Sequence, residues 1–551
     1  MRVLLIFATL LISGCFSDKN ETKSESVNLS EENIDEIYDG AMFTAPSQYS
    51  IYPKKSNYMG NKEAVIPPQC YTKHEGQFNP CMTCHQSYEF GSRPNRMTDQ
   101  GLQTAYDFSD YGFENRWKNL FEDRTERVAD IPDQEIEAYV AVDNYTPLIN
   151  QLKNDSEWNG AIPEIKDFHL GAQAFDENGF AKDGSDWVAF NYKPLPSTFW
   201  PTNGSTDDVA IRLPQAYRTT SCATDTSDGR DTYIANLALV EMSIQSLTSV
   251  SVPEINENNV CVDINGDGQL GNANTINKRT HFIGNANNVS VVDMLYPEGT
   301  EFLHSVRYVG VTDSGDVYVP PRMKELRYMV KTHFRSETWL SSAYGNEIQE
   351  KVDGLLPKYV YKVDGSPNEF GWDILGFIEN EDGWLRAQNQ EETLFCMGCH
   401  TTVGSTIDHT FSFPRKISGA DGWGYINLKG MKDSPSKLGA DNEILEYFKT
   451  VGGGDEFRQN IEILERWFNP DGSVKETEIR SSDVYDLITP SRERALSLNK
   501  AYRTIVQDQD FHHGRDANIS PAINVYQVVD GNSPVLPQDK VRDYDIRLNW
   551  D

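Results

Sequence analysis

The sequence predicts an α+β protein of more than one domain, with helical segments at both ends and a β-rich middle. Its 551 residues are more than a single hydrophobic core usually serves. The middle contains alternating apolar positions, as in "DVAIRLP", whereas the C-terminal part repeats apolar positions at helical spacing. A hydrophobic fraction of 38% and a charged fraction of 24% are those of a folded, water-soluble body.

The first fifteen residues, "MRVLLIFATLLISGC", predict export and lipid attachment. Arg2 gives a positive start, and the apolar run of about ten residues after it is too short to span a bilayer. "LISGC" resembles the bacterial lipobox, in which small residues precede the cysteine that becomes the lipidated N-terminus, here Cys15. Phe16 follows instead of the aspartate associated with inner-membrane retention. The resemblance therefore implies attachment to the outer membrane, facing either the periplasm or the cell surface.

Five regions follow from changes in composition. They are a signal peptide at 1–15, a flexible tether at 16–40, a first small domain at 41–125, a β-rich domain at 126–390 and a helical domain at 391–551. The tether is polar and acidic and has few apolar positions to bury. The whole chain carries a formal net charge of −33, which argues against nucleic acid as a partner and could steer a cationic one.

Several segments have recognisable periodicity. Strands are predicted in "DWVAFNYKP" and "DVAIRLP", where Val209, Ile211 and Leu213 share a face, and in "EFLHSVRYVGVTDSGDVYVP", with a turn at "TDSGD". One helix is predicted in "DTYIANLALVEMSIQSL". Three more are predicted in "NEILEYFKTVGGG", in "EFRQNIEILERWF" and in "TPSRERALSLNKAYRTIV", the last beginning at Thr489-Pro490.

Two copies of the pattern C-x-x-C-H carry the most specific chemistry. "NPCMTCHQ" contains the first and "LFCMGCHTT" the second; their residues are Cys81, Cys84, His85, Cys396, Cys399 and His400. Two thiols at this spacing can each bond a vinyl group of haem, and the adjacent histidine can then reach the iron. A zinc site would need four ligands in register, and a thioredoxin-like pair would not call for the histidine. The spacing thus predicts two covalent haem c groups.

"CMTCH" and "CMGCH" resemble the haem-attachment motifs of c-type cytochromes, and with the lipobox the chain resembles bacterial outer-membrane dihaem cytochrome lipoproteins. The resemblance implies electron transfer between redox protein partners. The positions of the motifs along the chain predict that regions 41–125 and 391–551 are small haem c domains, and we expect the C-terminal helices to pack around the second haem. The resemblance covers only the motifs and the N-terminus, so the central region stays without a family.

The sixth iron ligand decides whether a haem only passes electrons or also binds a substrate. Candidates are Met97 and His74 near the first motif, His409 and Met431 after the second, and His304 in an alternating strand. The adjacent His512 and His513 are most simply a surface pair. Electron transfer with no catalytic residue is the leading hypothesis. A dihaem peroxidase-like or oxidase-like enzyme with one open iron, and a haem-containing ligand-binding or sensor protein, are the alternatives.

A second metal site is indicated by "DINGDGQLGNAN". Asp263, Asn265 and Asp267 offer side-chain oxygens at positions 1, 3 and 5 of a calcium loop, and Gln269 offers its backbone carbonyl. Position 12 is Asn274 instead of the usual glutamate. We therefore expect one structural calcium ion of reduced affinity, or one completed by another carboxylate.

Cys70, Cys222 and Cys261 remain after the motifs and the lipobox are assigned. An oxidising compartment permits one disulfide among the three. Cys222 with Cys261 is the pairing expected from placement alone, because both lie in the central region, although Cys70 could replace either.

Overall fold

The computed structural model describes residues 46–551 apart from 55–58, 61, 63–65, 86–92, 98–109, 197–199, 223–228, 354, 356–358, 402, 454–457, 531, 538–539 and 541–544. The predicted signal peptide, Cys15 and the tether lie outside the described residues. Residues Gly40–Asp551 form one unit, which contains the regions predicted at 41–125, 126–390 and 391–551. The boundaries between those regions remain a prediction.

A seven-stranded antiparallel sheet lies at the centre of the fold. Its strands are β1 (Val188–Ala189), β2 (Thr206–Arg212), β5 (Glu301–Arg307), β8 (Met323–Lys331), β9 (Ser366–Pro367), β10 (Trp372–Glu379) and β11 (Leu385–Ala387). The order is β1-β2-β5-β8-β10-β11, and β9 also pairs with β10. The predicted α+β class is therefore confirmed.

Two small two-stranded sheets are also present. One pairs β3 (Ser249–Asn256) with β4 (Asn272–Asn277), and the other pairs β6 (Gly310–Val311) with β7 (Val317–Tyr318). The predicted turn "TDSGD" joins β6 to β7. The preceding strand, β5, lies instead in the large sheet between β2 and β8.

Twelve α-helices are found within the described residues. They are Thr125–Asp130, Asp133–Val140, Tyr145–Asn154, Arg230–Gln245, Glu257–Val260, Glu337–Val352, Gln390–Cys399, Glu443–Val451, Ile461–Trp467, Glu476–Ser481, Val484–Ile488 and Arg492–Asp508. The last helix begins after Ser491, whose hydroxyl accepts a hydrogen bond from the Arg494 N–H at 3.2 Å, and not at the predicted Thr489-Pro490. No described helix is both long and apolar enough to cross a membrane.

The two faces of the sheet belong to different cores because side chains alternate along each strand. Val209 and Phe302 point into the largest core, which also contains Cys396 and much of helix Arg230–Gln245. Ala210 and Leu303 point into a second core on the opposite face. The second motif therefore packs against the central sheet.

The small helical haem domains predicted around each motif are not shown among the described residues. The first motif lies on a short 3₁₀ helix, Pro80–Thr83, in a region whose backbone pairs with the C-terminal tail at Thr72–Val525 and Glu114–Val528. The C-terminal helices fill two further cores that do not contain Cys396. Their apolar faces are buried against one another and against helices 125–130 and 133–140, so the packing expected around the second motif is not shown among the described residues.

Candidate functional site

The second C-x-x-C-H motif is positioned by the helix Gln390–Cys399. A capping box starts this helix: the Glu392 N–H donates to the Asn389 side chain at 2.9 Å, and the Glu392 carboxylate accepts from the Asn389 N–H at 2.8 Å. Cys396 and Cys399 occupy its last turn and His400 is the C-cap. Positions three and four residues apart share a helix face, so both thiols and the imidazole are presented together.

His400 is held in one tautomer. Its Nδ1 lies 2.7 Å from the carbonyl oxygen of His409, and because a carbonyl only accepts, Nδ1 carries the proton. Burial lowers the pKa of His400 to about 4, so the ring is neutral at pH 7. Asn368 fixes the backbone by donating to the His400 carbonyl at 2.9 Å. The lone pair on Nε2 is thereby left for a metal ion.

His409 is oriented in the same way. Its Nδ1 lies 2.5 Å from the carbonyl oxygen of Thr401, its ring packs 4.4 Å from that of Phe370, and burial lowers its pKa to about 4. The residue is 1% exposed, and its buried Nε2 has no hydrogen-bond partner among the described residues. A buried imidazole nitrogen without a partner costs free energy, and ligation of a metal ion would satisfy it.

The fold brings the first motif next to the second. The Ser405 hydroxyl donates to the Cys84 carbonyl at 3.0 Å, which joins the loop after the second motif to the first. The pKa of Cys399 is raised to about 12, mainly by burial and secondly by the nearby thiols of Cys84 and Cys396. Burial and the thiol of Cys70 raise the pKa of Cys84 to about 12. Four thiols from distant parts of the chain thus lie in one region.

The segment after the first motif also contacts the loop that carries His409. The buried Arg93 donates to the carbonyls of Gly404 and Thr406 at 2.9 and 3.0 Å. The sulfur of Met97 accepts a hydrogen bond from the Asp408 N–H at 3.3 Å. The side chain of Cys81 and residues 86–92 lie outside the described residues.

The remaining candidate iron ligands are dispersed. Met431 packs in a separate helical core, with no motif cysteine among its described members. His74 is buried, and burial lowers its pKa. His304 is close enough to His400 for its charge to lower the pKa of His400, but its Nε2 lies 3.3 Å from the carboxylate of Asp207.

Neighbouring positions on strands β5, β8 and β10 connect His304 with the second motif. In register, His304 pairs with Arg327 and Arg327 pairs with Gly376. Gln388 occupies the space that the missing side chain of Gly376 leaves, and its amide oxygen lies 3.8 Å from the sulfur of Cys396.

Buried charges surround Cys396. Arg327 and Arg515 both pair with Glu325 at 2.9 Å, while Arg386 pairs with Glu392 at 2.8 Å. Sequence reasoning did not identify Arg327 or Arg515. Strand "MKELRYMVK" carries charges on both faces, and alternation alone does not reveal that they are buried.

The predicted calcium loop turns sharply, as such loops do. The Asp263 carboxylate accepts hydrogen bonds from the N–H groups of Gly266 and Gly268 at 2.6 and 2.8 Å. Asn265 and Asp267 cap the following N–H groups within the same turn. Glu257, 1% exposed, accepts from the backbone N–H groups at both ends of the loop, so a carboxylate that the sequence did not place there braces it.

The predicted disulfide between Cys222 and Cys261 is confirmed, with Cα atoms 6.1 Å apart. Cys70 is buried.

These features define a mixed α and β protein whose central sheet and adjoining loops gather two cysteine–histidine motifs into one region. A lipoprotein-family model matches residues 54–487, and the chain belongs to this family of lipoproteins. An uncharacterized lipoprotein of Aquifex aeolicus (strain VF5) is 29% identical over 536 residues, covering 85% of this chain and 88% of that protein. No solved structure matches.

The family match corrects one expectation. Assignment of the chain to the family of c-type cytochromes is wrong, because the family that matches across both motifs and the region between them is a lipoprotein family. The match concerns the family and not the chemistry of the two motifs. The family supports the predicted membrane attachment through a lipid.

Proposed function

We propose that this lipoprotein transfers electrons through two covalently attached haem groups, one at Cys81, Cys84 and His85 and one at Cys396, Cys399 and His400. The observation that supports the proposal best is the pair of oriented imidazoles, the half-buried His400 and the buried His409, close to the thiols of Cys84, Cys396 and Cys399. Bound haem supplies a one-electron iron couple, whose potential depends on its axial ligands and surroundings.

The residues of the second motif fit that group. Cys396 and Cys399 provide free thiols on one helix face, and His400 presents Nε2 as a neutral ligand. The hydrogen bond from His400 Nδ1 to the His409 carbonyl fixes the ring and increases the basicity of Nε2. The burial of Cys396 excludes water from this side of the site.

His409 fits the first motif better than the second. Its carbonyl contacts His400 at Nδ1, the side of the ring away from Nε2, so its main chain lies behind His400. This placement keeps the His409 main chain away from the Nε2 that His400 would use to hold the group of the second motif. The loop carrying His409 is joined to the first motif by Ser405 and Arg93. His409 would therefore help to hold the group of the first motif through its Nε2.

Proximity of the motifs suits electron transfer. The thiol of Cys84 is close enough to Cys399 to raise the pKa of Cys399, so groups attached to the two cysteines would be neighbours. Lipid attachment at Cys15 would place the protein at the outer membrane, and the net charge of −33 suits a redox partner with a positive surface.

One observation favours the enzyme alternative. The Nε2 of His304 faces the Asp207 carboxylate at 3.3 Å, and the phenol of Tyr192 donates to the same carboxylate. A His–Asp pair near the second motif could move protons instead of ligating iron. The second iron would then have an open position for a substrate.

Haem stoichiometry tests the proposal directly. The full chain, produced in a bacterium that attaches haem to exported proteins, should carry two covalent haems by pyridine haemochrome assay. Changing Cys396 and Cys399 to alanine should leave one, whereas the control change of the disulfide cysteines Cys222 and Cys261 to serine should leave two. A chain without covalent haem under these conditions would refute the proposal.

Electron paramagnetic resonance of the air-oxidised protein separates the two functions. Two low-spin signals are expected for an electron carrier, and His409→Ala should convert one to high spin while the control His281→Ala, at an exposed position, changes neither. A high-spin signal in the unaltered protein that His304→Ala leaves in place would favour the enzyme. Unchanged signals in His409→Ala would refute its assignment as a ligand.

A further inference from the structure

A second group of metal-binding side chains lies away from both motifs, just after the last long helix. Asp510, His512 and His513 sit on the short turn that includes Phe511–His513. The buried Phe511 anchors the turn, and the Asn119 amide donates to the carbonyls of Asp510 and Gly514, both at 2.9 Å. Because the backbone is held on both sides, the three polar side chains are presented in a fixed arrangement.

The ligand atoms of this group are already close together. One carboxylate oxygen of Asp510 lies 2.8 Å from His513 Nδ1 and 3.4 Å from His512 Nε2, and the three ligand atoms all lie within 4.8 Å of one another. In a tetrahedral site with bonds of about 2.0–2.1 Å, ligand atoms are about 3.3 Å apart. Small side-chain movements are therefore sufficient for all three atoms to contact one ion.

The ligand types select the class of metal. Two imidazoles and one carboxylate suit zinc and related divalent transition metals, whereas calcium and magnesium prefer oxygen ligands only. The histidine side chains are 36% and 40% exposed, which leaves room for an ion to enter and for water to complete its coordination.

We propose that Asp510, His512 and His513 form a surface site for a divalent transition metal ion, represented here by zinc. The site is independent of the haem proposal, since it shares no residue with either motif. The charge around it is favourable, because the carboxylate of Asp510 lies against both imidazoles. A cation is therefore attracted to this position.

Zinc titration by calorimetry tests the site on the full-length protein, prepared without a histidine tag and stripped with a chelator. We expect the double variant His512→Ala and His513→Ala to bind one zinc ion fewer than the unaltered protein. Asp510→Asn, which keeps the size of the side chain, should weaken the same binding event at least tenfold.

The matched control changes two exposed histidines elsewhere, His281 and His333, to alanine. It should retain the full zinc stoichiometry. Thermal unfolding without metal should give the same midpoint for Asp510→Asn as for the unaltered protein, so a change in zinc binding does not report unfolding. Equal zinc stoichiometry and affinity in the His512/His513 variant and the unaltered protein would overturn the proposal, as would an absence of zinc binding.

Discussion

The carboxylate of Asp408 anchors the loop that carries His409, and we predict that its removal strongly destabilises the protein. Asp408 is fully buried. It accepts hydrogen bonds from the Tyr296 N–H at 2.9 Å and from the Trp372 indole at 3.4 Å, and it forms an ion pair with Lys331. Lys331 is itself fully buried, so the pair is shielded from solvent.

The loss of unfolding free energy in Asp408→Ala depends on the buried charge of Lys331, which the variant leaves without a partner. Removing one partner of a buried ion pair costs about 3–5 kcal/mol, because the other charge remains buried without compensation. Burial already lowers the pKa of Lys331, and losing Asp408 lowers it further. The lysine can therefore release its proton, which limits the loss, and we expect about 4 kcal/mol of unfolding free energy to be lost.

Urea unfolding at pH 7, followed by tryptophan fluorescence, measures this loss from the shift in the midpoint. Lys331→Met and the double variant complete a cycle that isolates the pair. The double variant should be more stable than Asp408→Ala, because no unpaired charge remains. Asp313→Ala, at an exposed position, is the control and should cost less than about 0.5 kcal/mol.

Two results would refute this reasoning. One is a loss below about 1 kcal/mol for Asp408→Ala, which would mean that the carboxylate is not a buried anchor. The other is an equal loss in the presence and absence of Lys331, which would mean that the ion pair contributes nothing.

Three further predictions concern other parts of the molecule. Burial, and next the charges of Glu350 and Glu369, raise the pKa of Glu347 from 4.5 to about 7. The stability that protonated Glu347 contributes is therefore complete below pH 4.5 and is lost as the pH rises through 7. Urea unfolding at both pH values should show that Glu347→Gln stabilises the protein by about 1–2 kcal/mol at pH 8 and not at pH 4.5. Reducing the disulfide, whose cysteines are 39 residues apart, should cost about 3–4 kcal/mol by the same assay, and a loss under 1 kcal/mol would contradict its role in restricting the unfolded chain. Millimolar calcium should raise the thermal midpoint of the protein but not of Asp263→Asn, and equal shifts in both would argue against the calcium loop.

Local periodicity and spacing predicted much of the secondary structure. The strand at "DVAIRLP", the helix at "DTYIANLALVEMSIQSL" and the end of helix Glu443–Val451 at Gly452, which has a positive φ of 59°, all follow from residues close together in sequence. Predictions that needed only local steric rules succeeded most often. The helix predicted in "EFRQNIEILERWF" spans only Ile461–Trp467, with Ile461 56% exposed and Ile463 buried.

Predictions that needed long-range packing failed more often. The helical domains expected around the motifs are not shown, because the first motif's region pairs with the C-terminal tail and the second motif packs against the sheet. Met431 lies in another core, and the brace that Glu257 provides to the calcium loop comes from outside the motif.

The sequence by itself determined the chemistry available to this protein: two C-x-x-C-H motifs, a calcium-type turn, a lipobox and the cysteines that form the disulfide. Only the tertiary structure decided which of these groups meet. Cys84 and Cys399 lie close together although they are 315 positions apart in the chain. His409 is positioned by its contact with the Thr401 carbonyl and by the contact of the neighbouring Asp408 with the segment after the first motif. Spacing fixes geometry only within a turn or strand, whereas contacts between distant segments depend on how the sheet, its cores and the chain termini pack together.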